Sequence, residues 1–220
     1  MAIEVYWGSG SVYSWRVLLA LEFKQLRYLS RPLDLAKQEH CSPEMLKLNP
    51  RGRVPVLKEG EYVCYEPLAI LTYLDRQYPK APLFGRDAEE AGNIMRSICE
   101  FQVYVEGHIN KIITAIFLDA LESRLDQVRR SLEVVVSEAH KIENVLLQAQ
   151  WPVGDQFSAV DVIMFPSIKV LQRALARREA DELVTPFEPL EIHFPAIAAW
   201  VRRVEALPGY ERTYPPHWRS

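Results

Sequence analysis

Four hydroxyl side chains crowd a ten-residue stretch near the start of the chain, Gly8-Ser9-Gly10-Ser11-Val12-Tyr13-Ser14-Trp15-Arg16-Val17. It follows the alternating run Ile3-Glu4-Val5-Tyr6-Trp7, which reads as a strand. It leads into Trp15, Leu18, Leu19, Leu21 and Phe23, which recur at helical spacing. A helix N-terminus carries free N–H groups and the positive end of the backbone dipole, so an anion is stabilised there. A hydroxyl in the same loop that donates to a bound sulfur lowers the thiol pKa and yields the nucleophilic thiolate. Ser9, Ser11 and Tyr13 are the candidate donors, and Ser14 is expected to be the helix cap. The competing reading is that the serines only cap and turn the chain.

A second group of polar residues lies between Asn49 and Tyr78. The spacing predicts a strand over Val54–Leu57, a turn at Lys58-Glu59-Gly60-Glu61, a second strand over Tyr62–Cys64 and a helix opening near Glu66. Pro55 has no N–H to give to a sheet, so an edge position or a cis bond is expected there. Arg51 and Arg53 flank this proline and add positive charge, while Pro67 suits the first turn of a helix.

Positioning these residues takes a small α/β domain followed by helices. Tyr28–Leu33 reads as another strand, so the order is βαβ followed by ββα over residues 1–79. Residues 80–92 are expected to be a linker, and residues 93–220 an all-helical domain. One stripe runs through Met95, Ile98, Gln102, Val105, Ile109, Ile112 and Ile116. Another runs through Leu125, Val128, Leu132, Val135, Ala139, Ile142, Leu146 and Ala149. Phe101, Tyr104 and His108 form a further stripe beside the first. Ser158-Ala159-Val160-Asp161 is a capping box, flanked by Phe157 and Val162 as a hydrophobic staple, and Pro166 predicts a kink.

Bulk properties narrow the class. The chain has 220 residues, 49% of them hydrophobic, and a formal net charge of −3, which argues against nucleic acid as a partner. Residues 1–80 carry 11 basic and 9 acidic side chains, so the first domain is mildly positive. No apolar run reaches the length of a membrane span, and residues 1–10 lack the pattern of a secretory signal. Cys41, Cys64 and Cys99 are widely spaced and form no metal-like cluster, so a reducing, cytoplasmic setting without a metal is expected.

Taken together, Ser-Val-Tyr-Ser-Trp-Arg-Val, Val54-Pro55, Glu66, the Ser158–Asp161 box and the closing Phe194–Trp200 and Leu207–Tyr210 segments resemble cytosolic glutathione S-transferases. The serine motif is similar to that of the zeta and tau classes and their theta-like bacterial relatives. The resemblance implies a thioredoxin-like N-terminal domain with a mixed sheet, joined to an all-α helical-bundle C-terminal domain. It implies glutathione as co-substrate, a small hydrophobic electrophile, a homodimer and a role in detoxification. Aligned on Ser14-Trp15-Arg16-Val17, the thiol-activating serine falls on Ser11, with Tyr13 and Ser9 as alternatives. A cis Val54-Pro55 would pair with the cysteinyl backbone of glutathione, Glu66 would hold its γ-glutamyl end, His40 would meet the glycyl carboxylate, and Arg53 and Pro67 would belong to the same glutathione-binding set. Tyr6 is expected to be packed, Arg16 structural, and Trp7, Phe101, Tyr104 and His108 to contact the electrophile. Two departures stand out. The family has a serine after the acidic residue, where this chain has Pro67. The zeta class carries a cysteine where this chain has Tyr13, which counts against isomerase activity. The alternatives are a glutathione-dependent isomerase, a peroxidase or reductase, or a non-catalytic binding protein on the same fold.

Overall fold

The structure is a computed structural model that describes residues 2–177, 183, 185–187 and 189–219. The chain divides into two compact units, Met1–Phe84 with Leu207–Ser220, and Gly85–Ala206.

The first unit is built on a sheet of order β2-β1-β3-β4, from β1 (Ile3–Gly8), β2 (Tyr28–Leu33), β3 (Val56–Glu59) and β4 (Tyr62–Tyr65). β1 and β2 are parallel and joined through α1 (Val12–Phe23), while β3 pairs antiparallel with both β1 and β4. This is the mixed sheet of a thioredoxin-like domain, completed by α3 (Pro67–Gln77). α1 is buried from Ser14 to Glu22, which explains why its sequence is apolar on nearly every side. The short helix α2 (Pro43–Leu48) has too few turns to show a period, and Ser42 caps it by accepting from the Met45 amide at 3.3 Å. β3 begins two residues later than the spacing predicts, because Val54-Pro55 is a cis peptide that lies ahead of the ladder.

Two segments expected elsewhere pack into this unit. Lys24, at the end of α1, has a fully buried ammonium bound to Asp75 Oδ1 (3.1 Å), Lys80 O (3.1 Å) and Ala81 O (2.9 Å). Asp75 Oδ1 also accepts from the Leu83 amide at 2.6 Å, so residues 80–83 are fastened to the first unit and do not span freely. From Ala88 on the expected linker is helix: Asp87 caps α4 (Ala88–Phe101) by accepting from Glu90 N at 2.9 Å. At the other end of the chain, Leu207–Ser220 leaves the helical domain in which the sequence reading placed it. The Trp15 indole donates to Thr213 Oγ1 at 2.9 Å, Arg212 bonds Glu22, and the rings of Tyr210, Tyr214 and Trp218 surround Trp15. These contacts join residues nearly 200 apart in sequence, and no local pattern announces them.

The second unit is helical: α4, α5 (Gly107–Phe117), α6 (Leu121–Leu146), α7 (Ala159–Leu175), α8 (Leu190–His193) and α9 (Pro195–Glu205). A π-helical turn over Gln102–Glu106 joins α4 to α5. The buried stripe runs through Ile94, Ile98, Phe101 and Val105, so Ile94 and Phe101 fill core positions in place of Met95 and Gln102. The capping box closes α7: Ser158 N–H donates to Asp161 Oδ2 (2.8 Å) and Ser158 Oγ accepts from Val160 N (3.2 Å). Asp161 Oδ1 also accepts from the Trp200 indole at 2.7 Å, tying α7 to α9.

α9 begins with Phe194-Pro195, and neither side chain caps its free amides. Glu143 of α6 does so from a distance, accepting from Ala196 N and Ile197 N at 2.8 Å each. A carboxylate at a helix N-terminus satisfies both the amides and the dipole. Glu143→Ala is expected to lower unfolding free energy by about 2 kcal/mol, seen as a lower denaturant midpoint. Glu143→Gln, which keeps an acceptor, is expected to lose about half of that.

Candidate functional site at one end of the sheet

Strand register brings the candidate residues together. Tyr6 of β1 pairs with Val56 of β3, and Val56 pairs with Tyr65 of β4. Beyond that row lie Gly8–Ser11 after β1, Val54-Pro55 before β3 and Glu66 after β4, all at the same end of the sheet. Gly8 also pairs with Leu33 at the end of β2, so the segment leading to His40 leaves from this end too.

The loop after β1 is a tight turn. Ser11 N–H donates to Gly8 O at 3.1 Å, and Gly10 in the third position has φ +80°, as a type II turn requires. The three serines then differ in task. Ser11 is the N-cap of α1, its Oγ accepting from Ser14 N at 3.2 Å. Ser14 is not the cap, because the turn delivers the chain into helix at Val12. It lies buried in the first turn, where its Oγ accepts from Gly8 N at 3.2 Å. Ser9 Oγ lies 2.6 Å from His217 Nδ1. A cap uses a lone pair of the Ser11 oxygen and leaves its O–H hydrogen available to donate outward. Tyr13 is exposed, with the guanidinium of buried Arg16 5.1 Å from its ring centre.

Asn49, which the sequence reading passed over, builds the loop before β3. Its side chain donates to Arg53 O at 2.8 Å and accepts from Arg51 N at 3.0 Å, and its carbonyl accepts from Gly52 N at 3.0 Å. An Asn before a Pro at a helix end is a signal for such a turn. Gly52 has φ +55°, and a Cβ there would meet Cys41 Sγ at 3.2 Å, so the loop lies against the 3-10 turn Glu39–Cys41 that carries His40. His40 Nδ1 is buried and has no hydrogen-bond partner among the described residues. Arg51 and Arg53 are exposed, and Arg51 Nε stands 4.0 Å from Glu66 Oε1. Glu66 caps α3 with φ +71°, a left-handed conformation costly for a residue with a Cβ, and Pro67 is the first residue of that helix.

Of the remaining candidates, Tyr6 and Trp7 belong to β1 and the others to the helical unit. Tyr6 is half-buried, and Trp7 donates its indole N–H to Ser30 Oγ on β2 at 2.8 Å. In the helical unit Tyr104 is exposed on the π-helical turn, and His108 is half-buried with an Nδ1 that has no hydrogen-bond partner among the described residues. Phe101 is 4% exposed and lines a half-open pocket of about 480 Å³ with Val105, Val160 and Met164. Among the described residues no group of His, Cys, Asp or Glu could hold a metal, and no helix is long and apolar enough to cross a membrane.

Comparison with known proteins agrees with this layout. The model of the glutathione S-transferase N-terminal domain matches residues 7–82, and that of the C-terminal domain matches residues 104–208. Maleylacetoacetate isomerase of Pseudomonas aeruginosa is 31% identical over 182 residues, spanning 79% of this chain and 82% of that protein. Glutathione S-transferase A of Pleuronectes platessa is 28% identical over 221 residues, spanning 98% and 92%. The crystal structure of a glutathione S-transferase from the Antarctic clam Laternula elliptica superposes with a TM-score of 0.83 at 28% identity, covering 100% of this chain and 95% of that one. With both domain models in order and a relative of this identity along most of its length, the chain belongs to the glutathione S-transferase family.

Proposed function

We propose that the protein is a glutathione transferase whose Ser11 hydroxyl stabilises the glutathione thiolate for attack on a small hydrophobic electrophile. The observation that carries this reading is the convergence, at one end of the sheet, of a helix N-terminus capped by a donor-bearing serine with Val54-Pro55 and Glu66. In the reaction the thiol loses its proton, the sulfur forms a bond to an electrophilic carbon, and the leaving group departs with its bonding pair. A donor to sulfur lowers the cost of the first step. Val54 is assigned to the cysteinyl backbone, Glu66 to the γ-glutamyl end and His40 to the glycyl carboxylate, with Arg53 adding positive charge beside the cis proline. His40 Nδ1, buried and unpartnered, is suited to such an anion. Trp7, Phe101, Tyr104 and His108 are assigned to the electrophile, and Phe101 lines a half-open pocket of the helical unit.

Retention on immobilised glutathione, followed by conjugation of a chloronitrobenzene, tests the reading. A protein that neither binds nor turns over is not a transferase. Pro67 gives the site a distinct prediction. A serine there would offer an N–H and an O–H to the γ-glutamyl carboxylate, and proline offers neither. Pro67→Ser is expected to tighten glutathione binding by about tenfold, the gain of one hydrogen bond to a charged group, measured by calorimetry. Unchanged binding would mean that other groups already serve the carboxylate.

Glutathione-dependent isomerisation is the second reading, favoured by the Pseudomonas aeruginosa relative named maleylacetoacetate isomerase. It is separated by assaying isomerisation of a cis-unsaturated diketo acid beside conjugation. Free Cys41, Cys64 and Cys99 support a reducing compartment, the cytoplasm. A homodimer is proposed from family membership, with size-exclusion chromatography as its test.

A further inference from the structure

The turn that presents Ser11 is held from outside by the end of the chain. Its second residue, Ser9, meets His217 Nδ1 at 2.6 Å, and its third residue, Gly10, lies directly beneath the same imidazole. A Cβ on Gly10 would come within 2.9 Å of His217 Cε1 and 3.3 Å of His217 Nε2. The imidazole therefore occupies the space that any other residue at position 10 would fill.

His217 is itself fixed. It sits in a 3-10 turn, Pro216–Trp218, whose Trp218 ring packs edge-on to Trp15 with centroids 5.4 Å apart. Trp15 is the second residue after Tyr13 in α1, the helix that Ser11 caps. The preceding helix α10 (Tyr210–Thr213) is anchored to α1 by the Trp15–Thr213 bond and by Arg212 to the buried carboxylate of Glu22. Ser9 is thus gripped by a side chain referenced to the same helix that carries the reacting hydroxyl. The turn is fastened at its other end by the Gly8 amide on Ser14.

We propose that His217 is a positioning residue for thiol activation: through Nδ1 it locks Ser9, and with it the Gly8–Ser11 turn, so that the Ser11 hydroxyl points at the glutathione sulfur. The inference rests on the transferase reading above. A donor works on a thiolate only within a narrow range of distance and angle, and a pinned turn removes the alternatives that a Gly-Ser-Gly segment otherwise samples. Nothing in the sequence links positions 9 and 217, which are 208 residues apart.

The test uses the full-length chain and glutathione itself. His217→Ala is expected to lower kcat/KM for conjugation about tenfold and to raise the bound-thiol pKa by about one unit, read from thiolate absorbance. Binding of S-methylglutathione, which has no thiol proton to lose, is expected to stay within about twofold of wild type. Ser9→Ala should reproduce both effects with the anchors of the tail intact, and the double variant should be no worse than either single one. His217→Asn places an amide near the position of Nδ1 and is expected to restore most of the loss.

If wild type fails to bind glutathione, the transferase reading itself fails. If wild type binds and conjugates while Ser9→Ala leaves the bound-thiol pKa unchanged, the positioning role of His217 is wrong. Should His217→Ala unfold, Ser9→Ala decides alone. Additive losses in the double variant would overturn the proposal by showing that the two residues act separately.

Discussion

Replacing Asp161 by Ala is expected to unfold most of the helical unit. Asp161 is fully buried, and its two oxygens take donors from different elements: Trp200 Nε1–H on α9, and Ser158 N–H and Oγ–H at the start of α7. Alanine leaves the Trp200 indole and the Ser158 amide without acceptors in a dry interior. Each costs about 1–3 kcal/mol, and the lost cap adds about 1 kcal/mol. The sum, about 3–7 kcal/mol, is a large part of the 5–15 kcal/mol typical of a whole domain. Loss of the cooperative thermal transition and of near-ultraviolet circular dichroism from Trp200 would show it. A transition unchanged from wild type would show that the network contributes little.

The same carboxyl gives the stability a pH dependence of known sign. Burial is the largest influence on it and pushes its pKa up to about 6, against the opposing pull of the Trp200 and Ser158 hydrogen bonds. In the unfolded chain an aspartate titrates near ~3.9. Between those values the folded protein holds a proton that the unfolded chain has released. The contribution of Asp161 is therefore most favourable below about pH 4, falls as pH rises toward 6, and is level above that. Asp161→Asn, which cannot ionise, is expected to lose this slope while keeping an acceptor for one of the two N–H donors. Urea midpoints of wild type and Asp161→Asn between pH 4 and pH 7 measure the difference.

What was legible in the sequence was what short-range physics dictates. The alternation in Ile3–Trp7, the capping box at Ser158 and the odd proline at position 55 each carry their own local cause, and each corresponds to a feature of the structure. The cluster at the sheet end was readable because its parts sit at strand termini, where a turn must follow. Three things were not. The cap of α1 was misplaced from Ser11 to Ser14 because both serines precede the helical period and only the turn geometry selects one. The buried face of α4 takes Ile94 and Phe101 where the spacing predicts Met95 and Gln102, because several apolar residues there fit a helical period. Glu143, Lys24 and His217 were invisible because their partners lie 51 to 208 residues away in sequence, and only the folded chain brings charge and orphan amide together.

Ser11→Ala tests the chemistry most directly, because the residue has two separable duties. As N-cap it accepts from Ser14 N, and losing that role costs about 1 kcal/mol of stability. As donor it gives its hydrogen to the sulfur, and losing that role raises the bound-thiol pKa toward the ordinary thiol value of about 8.5. A hydrogen bond to a charged group is worth about 1.5–3 kcal/mol, so kcat/KM near neutral pH is expected to fall by about 10- to 100-fold. Ser11→Thr keeps both duties and should retain most activity. Ser11→Asp keeps the cap, since a carboxylate is a good acceptor at a helix start, but it has no proton to give and repels a thiolate. A folded and inactive Ser11→Asp beside an active Ser11→Thr would place the effect on donation to sulfur. If Ser11→Ala instead leaves the bound-thiol pKa where it was, the donor is not Ser11, and Tyr13→Phe becomes the variant expected to show the loss.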